Sequence, residues 1–353
     1  MSGSKAKVAL DATYSLGDRL SGVGVYSREI IEHLTRTHPE AAFLLYYRPH
    51  RILRSFAAGL QPNSKRRLLQ EPLAPGGDLW HGLNQRLPKV RLRRAVVTFH
   101  DLFVLTGEYS SPEFRARFAG QARDAAARAD LIIAVSEFTA RQVRELLGVE
   151  GSRIRVIHHG VRTLASREDR AAPAEREKII LHVGAIQTRK NLARLVRAFE
   201  AVPEGWRLIL AGSKGFGAEQ VLATIAQSPR RQSILISGYL SLDDLATLYR
   251  RVSVFAFPSL DEGFGMPVLE AMAHGVPVLA SNRSALPEVA GDAALLVDPT
   301  DTAAIQEGLL ELTTEEARRQ DLARRGQQRA AMFTWPKAAQ RTWQVYEELL
   351  GRS

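Results

Sequence analysis

Two glutamates, Glu262 and Glu270, are separated by seven residues that begin with Gly263-Phe264-Gly265 and include Pro267. The stretch follows a strand-like run ending at Phe257-Pro258, and Pro267 suits the first turn of a helix, where its missing N–H costs nothing. Gly263 and Gly265 leave backbone N–H groups unshielded at that helix start, which makes an anion site suited to a diphosphate. Glu262 precedes the loop and faces whatever occupies the site. Glu270, about a turn inside the helix, can accept hydrogen bonds from a diol such as ribose. Taken singly, each acid is equally compatible with a solvated surface position.

A second set of candidates is cationic. Arg189 and Lys190 follow the apolar run Ile179 to Val183 and open a predicted helix from Asn191 to Glu200, placed to hold a diphosphate through charge-assisted bonds; two exposed helix cations are the plain alternative. Gly22 and Gly24 lie between the first strand and a helix running to Leu34, where they suit either close approach of a phosphate or a tight turn. His100-Asp101 closes the run Ala95 to Phe99, so His100 points past a strand's carboxyl end; a lone histidine of this kind is more often structural. His81 is a further candidate of the same sort. No helical His pair and no Asp-x-Asp is present, so no metal is expected.

These residues need a frame. Short β-branched runs recur at Val8 to Leu10, Phe43 to Tyr47, Ala95 to Phe99, Leu131 to Val135 and Ile154 to Ile157. A second series follows at Ile179 to Val183, Leu208 to Ala211, Ile234 to Ser237, Val254 to Phe257, Val276 to Ala280 and Ala294 to Val297. Segments of helical period lie between them. Strand-helix alternation implies parallel sheets covered by helices on both faces. The charged stretch from Ser166 to Lys178 divides the two series. The expected organisation is therefore two Rossmann-like domains, 1–170 and 171–334, whose strand ends face one cleft, with 335–353 a terminal helix returning to the first domain.

Glu262-x7-Glu270, within EGFGMPVLEAMAHGVPVLAS and followed by LPEVAGDAALLVDP, resembles glycosyltransferase family 4, the retaining transferases of the GT-B fold. VSEFT at 135–139, HVGAIQTRKNL at 182–192 and Trp335-Pro336 extend the resemblance along the chain, which is most similar to bacterial polysaccharide mannosyltransferases. It implies an α/β GT-B architecture and a metal-independent transferase that uses a nucleotide-sugar as substrate and no other cofactor. It further implies that Glu262 binds the donor sugar and Glu270 the ribose. Lys190 binds phosphate, His100 contacts sugar and acceptor, and the backbone of Gly184 and of Gly263, Phe264, Gly265 and Met266 lines the donor. Many relatives carry Arg after the glycine matching Gly184. Here Ala185 stands there, so Arg189 is the candidate for the second charge. The favoured donor is GDP-mannose; the alternatives are a UDP-sugar transferase and a nucleotide-sugar isomerase. The acceptor is expected to be a glycan or lipid-linked.

Composition sets the remaining bounds. The 353 residues are 45% hydrophobic and 24% charged and include no cysteine, which removes disulfides and thiolate chemistry. No apolar run reaches the ~18 residues of a membrane span, and no signal peptide is read, so a cytoplasmic location is expected. The net charge of +10 lies almost wholly in the first half, in groups such as Arg48, Arg51 and Arg54, or Lys65, Arg66 and Arg67. They suit an anionic partner, possible at the inner face of the plasma membrane. The lack of interleaved aromatics argues against nucleic acid.

Overall fold

A computed structural model describes residues 5–162 and 176–351. The expected boundary in the stretch Ser166 to Lys178 lies largely outside the described residues. The chain divides into two compact units. Unit 1 holds the residues up to Leu105, Glu113–Gly160 and those from Thr334 onward; unit 2 holds Thr106–Pro112 and Val161–Phe333.

Unit 1 contains strands β1 (Lys7–Asp11), β2 (Ala42–Tyr47), β3 (Ser64–Leu68), β4 (Leu79–Gly82), β5 (Ala95–Phe99), β6 (Leu131–Ala134) and β7 (Ile154–Val156). Its helices are α1 (Gly22–Thr37), α2 (Pro49–Ser55), α3 (Phe103–Thr106, whose last residue falls in unit 2), α4 (Pro112–Arg128, whose first residue does) and α5 (Glu137–Leu147). The sheet order is β3-β2-β1-β4-β5-β6-β7, parallel throughout. Strands β5 and β6 are buried on both faces, as a parallel sheet covered by helices requires.

Unit 2 contains β8 (Glu177–Val183), β9 (Arg207–Ala211), β10 (Ile234–Gly238), β11 (Val252–Phe257), β12 (Val278–Ser281) and β13 (Leu295–Val297). Its helices are α6 (Leu192–Phe199), α7 (Ala218–Gln227), α8 (Leu242–Arg251), α9 (Met266–Ala273), α10 (Leu286–Ala290), α11 (Thr302–Thr314) and α12 (Glu316–Ala330); α13 (Trp335–Leu350) belongs to unit 1. The order β10-β9-β8-β11-β12-β13 is again parallel.

In each unit the order reverses once, between β1 and β4 and between β8 and β11. Loops leaving such a pair diverge and open a crevice at the strands' carboxyl ends. Two strands escape the pattern of apolar runs. β3 reads Ser-Lys-Arg-Arg-Leu because it is an edge strand, and β4 is four residues long and contains His81.

Helix α13 buries Trp335, Ala338, Ala339, Thr342, Val345 and Tyr346. Trp343 and Leu350 are only partly covered. Gly160 lies so close to Trp335 that a Cβ there would sit 2.3 Å from its backbone nitrogen. The VSEFT stretch also has a local cause: Ser136 caps α5 by accepting the Thr139 N–H at 3.0 Å.

Candidate active site

The loops after β8 and β11 bring the cationic pair and the first glutamate together. Arg189 and Lys190 end a single 3-10 turn, Thr188–Lys190, rather than opening the α helix expected from Asn191. The reason is Asn191, which adopts a left-handed conformation (φ 60°) between the turn and α6. Its side-chain amide donates to the carbonyls of Pro258 (3.1 Å) and Pro299 (2.6 Å), tying the turn to the loop after β11.

Glu262 is buried between the two cations. One carboxylate oxygen meets Arg189 Nη1 at 2.9 Å and the other meets Lys190 Nζ at 2.6 Å. No side chain of the three is more than 10% exposed. Burial pushes the Glu262 carboxyl up, but the charges of Arg189 and Lys190 and their hydrogen bonds outweigh it and hold it at about 2. The Glu262 N–H donates to Ser284 Oγ at 3.1 Å. Lys190 Nζ also lies 4.6 Å from the centre of the Phe257 ring.

Gly184 makes room for this arrangement. At φ 150°, a Cβ would stand 3.2 Å from Lys190 Cε and 3.4 Å from His182 Nε2. His182 donates from Nδ1 to the Ala256 carbonyl at 3.0 Å and stacks on Phe257. Burial and the Lys190 charge lower its pKa to about 3, so it is neutral with Nε2 bare.

The glycine loop closes on α9 as its residues require. Gly265 caps the helix at φ 110°, and a Cβ there would be 2.6 Å from Leu286 Cδ2. Pro267 occupies the first turn. Phe264 is buried, edge-on to Phe333, so it serves packing; Met266 begins the helix. Glu270 is partly exposed. It accepts from Tyr249 Oη at 3.3 Å. Burial of the carboxyl group itself raises it to about 7, against the weaker opposing effects of the Tyr249 hydrogen bond and the Arg162 charge.

Asp261 was not among the expected site residues, yet it is buried beside Glu262. Thr106 donates to its Oδ2 at 2.7 Å, Arg189 donates to its backbone carbonyl, and Oδ1 has no hydrogen-bond partner. Burial raises its pKa, opposed by Thr106 and Arg189. Its adjacency to Glu262 was the available signal. Nothing local foretold Thr106, which is distant in sequence.

Gly22, Gly24 and His100 lie in unit 1. Both glycines lie within the first turn of α1 rather than in a loop before it; the Gly24 N–H is directed to the Ser21 cap at 3.3 Å, and a Cβ there would be 2.9 Å from the Tyr14 carbonyl. His100 Nε2 donates to the Leu83 carbonyl at 2.9 Å, and Nδ1 is 3.4 Å from His159 Nε2. Burial lowers its pKa to about 4 despite the Leu83 contact, leaving a neutral ring. His81 is a core residue: Tyr346 Oη (2.6 Å) and Thr98 Oγ1 (2.8 Å) occupy its two nitrogens, which corrects its assignment to a cleft. The crevice of unit 1 carries a hollow of about 430 Å³ lined by Tyr14, Ser21, Asn84, Gln85, Arg86 and Phe114. A second, of about 460 Å³, shares Arg86 and Arg117 with it and adds Arg48 and Lys89 against Glu71 and Asp124. Among the described residues no group of three His, Asp or Glu could hold a metal ion.

Residues 20–163 match the family described as Glycosyltransferase Family 4, and residues 166–329 match Glycosyl transferases group 1. The O-antigen chain mannosyltransferase B of Escherichia coli is 33% identical over 77% of this chain and 74% of its own. The chain belongs to glycosyltransferase family 4. A serotype-specific mannosyltransferase, WbdA of E. coli, is 29% identical over 74% of the transferase, which spans 34% of that longer protein. Sucrose-phosphate synthase from Thermosynechococcus elongatus superposes with a TM-score of 0.79 at 22% identity, over 99% of this chain and 100% of that one. Anabaena HepE in complex with UDP and glucose superposes with a TM-score of 0.71 at 18% identity, over 97% and 99%. These establish the GT-B fold class for the transferase.

Proposed function

We propose that this transferase moves mannose from GDP-mannose, with retention, to a glycan or lipid-linked acceptor in polysaccharide synthesis. The observation that carries the donor site is the buried Arg189–Lys190–Glu262 cluster at the carboxyl ends of β8 and β11. The choice of mannose follows the mannosyltransferases to which the chain is similar. As the sugar–phosphate bond breaks, negative charge grows on the leaving diphosphate. Arg189, Lys190 and the N–H groups at the start of α9 stabilise it electrostatically. Glu262 is ionised and retains an acceptor lone pair on each oxygen, so it can bind sugar hydroxyls while holding both cations. Glu270 takes the ribose diol, and within unit 1 Gly22, Gly24 and His100 are the candidates for substrate contacts.

The division into an acceptor domain, 1–170, and a donor domain, 171–334, belongs to the same proposal. The hollows bearing Asn84, Gln85, Arg86 and Arg117 offer amides and cations to an acceptor glycan. No helix among the described residues is long and apolar enough to cross a membrane. A lipid-linked acceptor would be met from the cytoplasmic side, at an anionic membrane surface.

Slow hydrolysis of a donor panel tests the assignment without knowledge of the acceptor. GDP-mannose should be hydrolysed faster than UDP-glucose, UDP-galactose or GDP-fucose. Faster hydrolysis of UDP-glucose would favour the second reading, a UDP-sugar transferase, toward which the HepE complex points.

A further inference from the structure

Residues 41–70 contain six Arg and Lys and no acid. They build β2, α2 and the edge strand β3 of unit 1. Alongside the cations stand large apolar side chains in the open: Leu53 is 81% exposed, Phe56 66% and Leu68 44%. Leu53 and Phe56 are three positions apart, so they share a face at the end of α2. Arg66 fixes that end against β3. It donates to the carbonyls of Ser55 and Ala58, and its guanidinium lies 5.2 Å from the centre of the Phe56 ring. Arg54, Lys65 and Arg67 are exposed.

Cations on an edge strand can serve simply to prevent strand pairing between molecules. That accounts for Lys65 and Arg67. It does not account for Leu53 and Phe56, exposed together at the end of α2. Acid-free positive charge around projecting apolar side chains is the composition that docks on anionic lipid: the cations meet headgroups and the apolar groups enter the acyl boundary. A second copy of this face would bring like charges together.

We propose that α2 and β3, through Leu53, Phe56, Arg54, Lys65 and Arg67, form a docking surface for an anionic bilayer. The proposal deepens, and in its purpose rests on, the reading of the acceptor as lipid-linked. Each cation brought to such a surface strengthens partitioning by about fivefold.

Flotation of the full-length chain with phosphatidylcholine vesicles, with and without phosphatidylglycerol, tests it. The wild type should float with the phosphatidylglycerol vesicles alone, and high salt should release it. The variant Arg54→Glu/Lys65→Glu/Arg67→Glu should lose at least tenfold in partitioning. Leu53→Ser/Phe56→Ser should lose several-fold while keeping its salt dependence. Donor hydrolysis and thermal unfolding should match the wild type in both. Failure of the wild type to float, equal flotation with neutral vesicles, or unchanged partitioning of both variants overturns the docking surface. So does binding to DNA or RNA with none to vesicles. Flotation without hydrolysis of any donor would instead overturn the transferase reading and leave the surface standing.

Discussion

Replacing Glu262 by Gln separates the carboxylate's charge from its shape. In the wild type the carboxyl is held at about 2 rather than its ordinary 4.5, which corresponds to about 3 kcal/mol of favourable interaction at neutral pH. Gln keeps one acceptor oxygen for Lys190 or Arg189 but leaves two buried cations without a counter-charge. Glu262→Gln should therefore lose about 2–3 kcal/mol of stability at pH 7, or roughly 4–12 °C in the unfolding of unit 2. The effect has a defined pH dependence. A depressed carboxyl contributes fully above its unfolded pKa, so the difference should persist from pH 8 to 5. It should shrink as pH falls from 4.5 toward 2, where the wild-type carboxylate takes up a proton. Nucleoside diphosphate should protect the variant from unfolding at least as well as it protects the wild type, because phosphate supplies the missing anion. Differential scanning fluorimetry across pH, with and without GDP, measures all three. A variant as stable as the wild type at pH 7, or one that no longer binds GDP, would refute this account of the cluster.

Lys190→Ala should weaken nucleoside diphosphate binding by about ten- to a hundredfold, the worth of one charge-assisted hydrogen bond, as read by calorimetry; an unchanged Kd would remove Lys190 from the phosphate site. Glu270 is raised to about 7, so its folded form keeps a proton that the unfolded chain has lost. Its contribution to stability therefore falls as pH rises from about 4.5 through 7. Donor affinity should instead rise through pH 7 as the diol-binding carboxylate forms, and Glu270→Gln should flatten that profile in KM measurements. Gly265→Ala meets both a φ of 110° and Leu286 at 2.6 Å. It should cost about 1–3 kcal/mol and weaken GDP binding together, as chemical denaturation and calorimetry would show. Tyr346→Phe strips a partner from buried His81. It should cost about 1–3 kcal/mol in denaturation without altering GDP affinity.

The residues proposed to hold the donor stand out in the sequence because their local patterns are strong. Gly263 to Gly265 before Pro267 announces a helix start, and the runs around Val97, Ile132 and Val254 announce buried parallel strands. Edge strand β3 and short β4 were not legible, since neither needs an apolar run. Pairing was invisible as well. Glu262 bonds to Lys190, seventy-two positions away, and Thr106 reaches Asp261 across 155. The first exists only after parallel strands β8 and β11 become neighbours, and the second only after the segment following β5 meets the loop after β11. The tertiary structure also assigned the histidines. His100, His81 and His182 look alike as residue types beside apolar runs. Burial and the partners of each ring nitrogen made all three neutral, with His81 set in the core of unit 1 and His182 placed beside Lys190. Local sequence thus named the groups that are candidates to bind a sugar nucleotide. Only the fold determined which of them share a dielectric and a counter-charge, because those properties belong to neighbours in space.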